Sequence, residues 1–148
     1  MKVEIKILPD IEETNAVINT PALTQDLMKV VELLEGIDVH PFLLVAKKDD
    51  KSFVIESEQA EIIRTEGGVI KLYNQQAQDF VVPKALHELH DRLGSSFVRI
   101  SKSTIVNINR IDHLSPSFNG TMYIMMKNGI NDYISRKYLS DFKKRLGL

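Results

Sequence analysis

Phe97-Val98-Arg99-Ile100-Ser101-Lys102-Ser103-Thr104-Ile105-Val106-Asn107-Ile108-Asn109-Arg110-Ile111 is the stretch on which the reading of this chain turns. Apolar and β-branched residues dominate it, as strands require, with Arg99, Lys102 and the hydroxyls of Ser101, Ser103 and Thr104 set among them. Ile105, Val106, Ile108 and Ile111 read as core. Basic and hydroxyl side chains on a strand-and-turn scaffold suit a surface that holds phosphates and reaches base edges. Further along, Lys127-Asn128-Gly129 signals a hairpin, for which a type I′ turn is expected. Met122 to Met126 before it reads as a strand covered on both faces. Ser135-Arg136-Lys137-Tyr138 then opens a terminal helix, with Ser135 as cap and Leu139, Phe142 and Leu146 on its buried side.

Working back from that stretch, short strands and turns continue. Phe42 to Ala46 and Ser52 to Ile55 flank Lys48-Asp49-Asp50 as a hairpin. Ala60 to Arg64 forms a strand that ends near Gly67-Gly68, and Val69 to Tyr73 pairs with Asp79 to Val82 around Asn74-Gln75-Gln76. Pro83 opens a short helix carrying Leu86, Leu89 and Leu93 on one side, and Gly94 ends it. The first 40 residues differ. Val3, Ile5 and Ile7 alternate with Lys2, Glu4 and Lys6, which predicts a half-buried strand over 2–8. Thr20-Pro21 starts a helix with apolar residues at Leu23, Leu27, Val30, Val31 and Leu34, stopped by Gly36. A boundary is expected near Gly36 to Pro41, giving an acidic strand–helix segment at 1–40 and a strand-rich domain at 41–148.

The 148 residues hold a 43% hydrophobic fraction, enough for a core, and no apolar run long enough to span a bilayer. The opening residues do not form a signal peptide. The absence of cysteine excludes disulfides, cysteine-based zinc sites and thiol catalysis. A bacterial cytoplasmic protein is the expectation. Net charge is -1, but it is unevenly spread. From Arg99 to Leu148 nine basic residues face three acidic ones, a net of +6, and the rest of the chain is at -7. Such segregation is the footprint of a polyanion-binding surface, although Lys143, Lys144 and Arg145 also suit any helix C-terminus.

No catalytic constellation emerges, so neither enzymatic activity, a metal nor a cofactor is expected. His87 and His90 stand three apart, whereas two zinc ligands on one helix side stand four apart. His40 and His113 supply no third ligand. Gly67-Gly68 lacks the helix and lysine of a phosphate loop, and neither a G-x-S-x-G elbow nor a P-loop occurs.

The succession Phe97-x-Arg99-Ile100-x-Lys102-Ser103-x-Ile105-Val106-Asn107, then Asn128-Gly129, then Ser135-Arg136-Lys137-Tyr138-Leu139 resembles the LytTR family of bacterial DNA-binding domains over roughly residues 42–148. The resemblance implies a mainly β (α+β) fold, an elongated stack of small antiparallel β-sheets with short helices, here preceded by an N-terminal strand and amphipathic helix. Loops at one edge would enter double-stranded DNA in place of a helix-turn-helix. It implies that Arg136 reads a base, typically guanine, in the major groove, and that Lys102 occupies a second base-contacting loop. Lysine is a point charge and should discriminate less sharply than a bidentate arginine. A third reading loop falls at Gly68, which has no side chain. This departs from the family and leaves a backbone contact as its expected role, with Lys71 as a substitute. Arg99, Ser101, Ser103 and Lys137 are candidate phosphate contacts, and Asn107 matches a family asparagine that pins a turn.

The function expected is therefore a transcriptional regulator reading direct repeats as a homodimer. With only about 40 residues ahead of the domain, a phosphoacceptor receiver is not expected. The front segment either caps the first sheet or serves dimerisation or docking of a partner, such as a small membrane protein. The alternative is a protein-interaction module or anti-regulator that keeps the fold and binds DNA weakly, for which Gly68 and the acidic front segment speak.

Overall fold

The computed structural model describes residues 1–12, 14–36 and 42–148. His40 and most of the expected boundary region lie outside the described residues. The chain divides into two compact units, Met1–Val39 and His40–Leu148.

The described residues of the first unit form one helix, α1 (Gln25–Glu35). Its cap is Thr24, whose hydroxyl accepts from the Leu27 N–H at 3.2 Å. The start expected at Thr20-Pro21 is instead a local turn, in which the Thr20 hydroxyl donates to the Ala22 carbonyl at 2.7 Å. Gly36 ends the helix by donating to the Glu32 carbonyl. Residues 2–8 form no strand, and Val3, Ile5 and Ile7 are exposed. Alternation creates an amphipathic ribbon, but a strand also needs a ladder partner, and none of the described residues pairs with this one.

The described residues of the second unit form ten strands and two α-helices, with three single 3-10 turns between them. β1 (Leu43–Lys48) and β2 (Lys51–Glu56) form a hairpin, followed by β3 (Ala60–Glu66), β4 (Val69–Asn74), β5 (Asp79–Val81) and α2 (Leu86–Arg92). Then come β6 (Phe97–Ser101), β7 (Thr104–Asn107), β8 (Ile111–Pro116), β9 (Met122–Met126), β10 (Asn131–Ile134) and α3 (Arg136–Leu146). All pairings are antiparallel, in a seven-stranded sheet ordered β2-β1-β5-β4-β3-β7-β6 and a three-stranded sheet ordered β10-β9-β8. α2 begins three residues after Pro83, whose ring ends the preceding strand and does not enter the helix.

Both faces of the large sheet are covered over β3, β7 and β6. Ile63, Ile105 and Phe97 point into one core with Leu44, Leu72 and Phe80, closed by Leu86, Leu89 and Leu93 around α2. Their neighbours Ile62, Val106 and Val98 point into a second core with Ile124, Met126 and Ile134 of the small sheet and Phe142 of α3. Side chains alternate across a strand, so a strand buried on both faces needs apolar residues in succession. That is why Ile62-Ile63 and Ile105-Val106 read as unbroken runs. Phe142 is fully buried, which contributes roughly 2–3 kcal/mol.

A bulge at Ala60/Ile62 turns Glu61 inward. Its carboxylate is fully buried and accepts from Arg110 Nε at 3.0 Å and from the Asn128 N–H at 2.8 Å. The Asn128 amide donates to the Asn74 carbonyl at 2.9 Å. The Asn128-Gly129 turn is thus a joint between the two sheets. It is not type I′: Met126 and Ile130 flank a three-residue loop, the Gly129 N–H returns to the Met126 carbonyl, and only Gly129 has positive φ, at 89°. A type I turn followed by a bulge leaves Asn128 in ordinary backbone space, free to reach both Glu61 and Asn74. The outer side of β9 is only half-buried, with Tyr123 packed edge-on against Tyr133 at 5.6 Å. Asn107 is buried and holds a turn, its amide donating to the Ala60 carbonyl at 3.1 Å and its oxygen accepting from Asn109 N–H.

Candidate nucleic-acid interface

β3 and β7 run side by side, so the β3–β4 and β6–β7 turns lie at the same sheet edge. Arg64 is paired with Thr104, and the Thr65 N–H donates to the Ser103 carbonyl at 2.9 Å. The first turn is Gly67-Gly68, with φ of 56° and 80°, the two positive values a type I′ turn demands. A side chain at Gly68 would meet open space. The second turn carries Lys102 and Ser103. Next to the second turn stands the start of α3, because the Ser135 N–H donates to the Ile100 carbonyl at 2.9 Å, two residues before Lys102. Gly68, Lys102, Ser103, Arg136 and Lys137 are thereby gathered at one edge from segments up to 69 residues apart in sequence.

Each of these residues is exposed. Among the described residues, neither Lys102, Arg136 nor Lys137 has a carboxylate partner. The bases behind them do. Arg64 lies 2.5 Å from Glu66 and 3.5 Å from Asp132, and Lys71 lies 3.5 Å from Asp79 and 3.9 Å from Glu66. Lys71 is therefore held by acids, which disfavours it as the substitute for Gly68. Arg145 donates to the Ser95 carbonyl, so part of the terminal basic run is structural.

Arg99 has a second role besides the phosphate contact expected of it. Its Nε donates to the Ser101 carbonyl at 3.1 Å and its Nη2 to the Lys102 carbonyl at 2.5 Å. The guanidinium therefore cross-braces the turn that carries Lys102. The Ser101 hydroxyl lies 3.2 Å from the Ser103 hydroxyl and accepts from the Ser103 N–H at 3.2 Å. Ser101 is half-buried and Ser103 exposed. Ser135 occupies the cap position of α3 without a side-chain bond, and its carbonyl accepts from the Tyr138 N–H at 3.0 Å.

Behind the edge lies a network that periodicity did not signal. Arg64 Nη1 donates to the Asn131 carbonyl at 3.0 Å, the Tyr73 hydroxyl to Glu66 at 2.7 Å, and Thr104 to Asp132 at 2.9 Å. It clamps β10, and hence the start of α3, to β3 and β7. Burial pushes the Glu66 carboxyl up, but the Tyr73 hydroxyl, Arg64 and Lys71 outweigh it and hold it below its ordinary value. Asp79 is likewise held low, burial being outweighed by a backbone hydrogen bond and by Lys48 and Lys71. The one available signal was the Arg64-x-Glu66 spacing, which puts both on one side of a strand.

His87 and His90 are exposed on α2. Among the described residues no cluster of three or more histidine or acidic side chains is placed to hold a metal, and no helix is long and apolar enough to cross a membrane.

Exposed basic side chains at turns and at a helix start, on a braced edge, suit contact with nucleic-acid phosphates. Among the described residues no two helices follow one another across a short turn. The model of the LytTr DNA-binding domain family matches residues 50–147, and the chain belongs to that family. Relatives include the sensory transduction protein LytT of Enterococcus faecalis, 26% identical over 101 residues, or 68% of this chain and 41% of that protein. A HTH-type transcriptional regulator of Staphylococcus aureus (strain NCTC 8325), itself uncharacterised, is 26% identical over 148 residues, covering 100% of this chain and 99% of that one. The chain thus spans two fifths of the length of the first relative and nearly all of the second. The LytTr domain of a Bacillus cereus protein shares the fold, with a TM-score of 0.67 at 24% identity over 72% of this chain and 97% of that one.

Proposed function

We propose that the protein is a transcriptional regulator that reads double-stranded DNA in a sequence-specific way through the edge carrying Lys102 and Arg136. The supporting observation is that these two side chains, on the braced Lys102 turn and at the start of α3, are exposed and have no carboxylate partner among the described residues, while the bases just behind them are neutralised by carboxylates. Arg136 is the principal base reader, its planar fork matching guanine O6 and N7 in the major groove. Lys102 is the second, less discriminating reader. Lys137, Ser101, Ser103 and the Gly68 backbone hold phosphates. Arg99 has donors left for a phosphate while it braces the Lys102 turn. Affinity then falls steeply with salt, since each neutralised phosphate releases counterions.

Two copies act together on direct repeats. Residues 1–40 serve dimerisation or docking of a regulatory partner such as a small membrane protein, and the protein works in the bacterial cytoplasm without catalytic activity. The features behind the dimer are the apolar side of α1 at Leu27, Val30 and Val31, none of it fully buried, and exposed Leu23, Met28 and Leu33 beside it.

The test is fluorescence-anisotropy titration of duplexes bearing two spaced repeats, beside scrambled duplexes, at several salt concentrations. Arg136→Ala should weaken specific binding by about 1–3 kcal/mol and relax preference at one base position. Equal binding to all duplexes by both proteins would overturn base reading and favour an interaction module, the reading supported by the acidic first unit.

A further inference from the structure

The loop between β8 and β9 carries the most exposed aromatic residue of the second unit. Phe118 is 87% exposed. Its backbone is nonetheless well held. The Thr121 N–H and hydroxyl both donate to the Phe118 carbonyl, at 3.1 and 2.7 Å, and the Ser117 N–H donates to the Thr121 carbonyl at 3.1 Å. The turn is closed by Asn119 and Gly120, with φ of 54° and 74°. Gly120 touches the reading edge. A Cβ there would lie 3.2 Å from Arg136 Cδ and 3.5 Å from its Cγ. The loop therefore backs the stem of Arg136, and the missing side chain at Gly120 is what leaves room for it. A rigid loop against Arg136 holds out, two residues away, a phenyl group with little protein around it.

We propose that Phe118 is a further specificity-determining residue, making apolar contact with the C5-methyl of a thymine next to the base that Arg136 reads. This rests on the proposal that Arg136 enters the major groove. Of the base edges in that groove only thymine presents a methyl group, so it is the one feature an aromatic ring can match there without leaving a polar atom unpaired. Arg136 and Phe118 would then read adjacent bases from one braced unit, by hydrogen bonds and by shape.

The experiment uses the full chain and a duplex recovered by selection from a randomised library. Each thymine is replaced in turn by deoxyuridine, which removes only the methyl group. Wild type should lose roughly fourfold in affinity at one thymine, the effect of withdrawing one methyl-sized apolar group. Phe118→Ala should bind the parent duplex with a similar loss and be indifferent to that replacement, while Phe118→Leu keeps part of the sensitivity. Because Phe118 is exposed, the melting temperature of the alanine variant should match wild type. Indifference of wild type to every replacement, or full deoxyuridine sensitivity in Phe118→Ala, would overturn the proposal. The Arg136 reading fails separately, if Arg136→Ala keeps the guanine preference. A library that yields no enriched sequence would overturn both.

Discussion

At the scale of single residues, charges in the DNA-binding unit divide into those that are answered within the fold and those that are not. Glu61 shows the first kind. A bulge turns it inward, and Arg110 and the Asn128 backbone satisfy it, so a carboxylate that would be costly alone becomes a pin between two sheets. Glu66 is the titratable counterpart. It is held below its ordinary value by the Tyr73 hydroxyl, Arg64 and Lys71, against the upward push of burial. A carboxyl depressed in the folded state stabilises the protein above its unfolded value, and that contribution disappears as pH falls through the folded value. Wild type should therefore lose melting temperature more steeply than Glu66→Gln between about pH 5 and pH 3. Parallel curves by circular dichroism would place the acid sensitivity elsewhere. The answered charges were hidden in the sequence, because Arg64, Asp132 and Thr104 meet only after folding. The unanswered Arg136 and Lys102 were legible, since they stand in a succession whose resemblance covers most of the chain.

At the scale of elements, turn chemistry was the most readable signal where two residues suffice. Gly67-Gly68 falls where the strands turn, and so does Asp49-Asp50 between the paired residues Lys48 and Lys51. Both aspartates adopt positive φ, 50° and 61°, which aspartate tolerates but glycine favours. Asp50→Gly should accordingly raise stability by roughly 0.5–1 kcal/mol, read from the urea midpoint. A lower midpoint would mean that the Asp50 side chain holds the turn. The three-residue loop at Asn128 escaped a local reading. Lys127-Asn128-Gly129 fits a type I′ signature, and the choice of a bulged turn follows from the distant acceptors Glu61 and Asn74. Helix ends behaved similarly. α1 starts at Thr24 and not at Thr20, because two threonines compete as caps and the Thr20-Pro21 pair closes a turn of its own.

At the scale of the whole molecule, charge and surface are partitioned between the units. Basic residues dominate from Arg99 onward, whereas residues 1–38 hold three basic and eight acidic side chains. α1, an eleven-residue helix with no fully buried side chain, is too short to be stable through propensity alone. Docking against a second copy would supply the burial that it lacks. Val31→Glu on the apolar side should therefore shift the full chain from dimer to monomer in light scattering, and weaken binding to paired repeats more than to a single one. An unchanged mass would remove this helix from the dimer interface.

Legible from residues alone were the strand-and-turn character of the second unit, the apolar successions Ile62-Ile63 and Ile105-Val106, and the concentration of positive charge after Arg99. All of these follow from neighbours a few residues apart, through alternation, turn residues and composition. Folding settled that the Gly68, Lys102 and Arg136 segments share one edge, that Arg99 braces the Lys102 turn, that residues 2–8 find no partner strand among the described residues, and that Gly120 leaves room for Arg136. The physical reason is that strand order and long-range hydrogen bonds depend on pairings between segments up to about seventy residues apart, as in Asn128 to Glu61. Local periodicity is the same whichever strand lies next door.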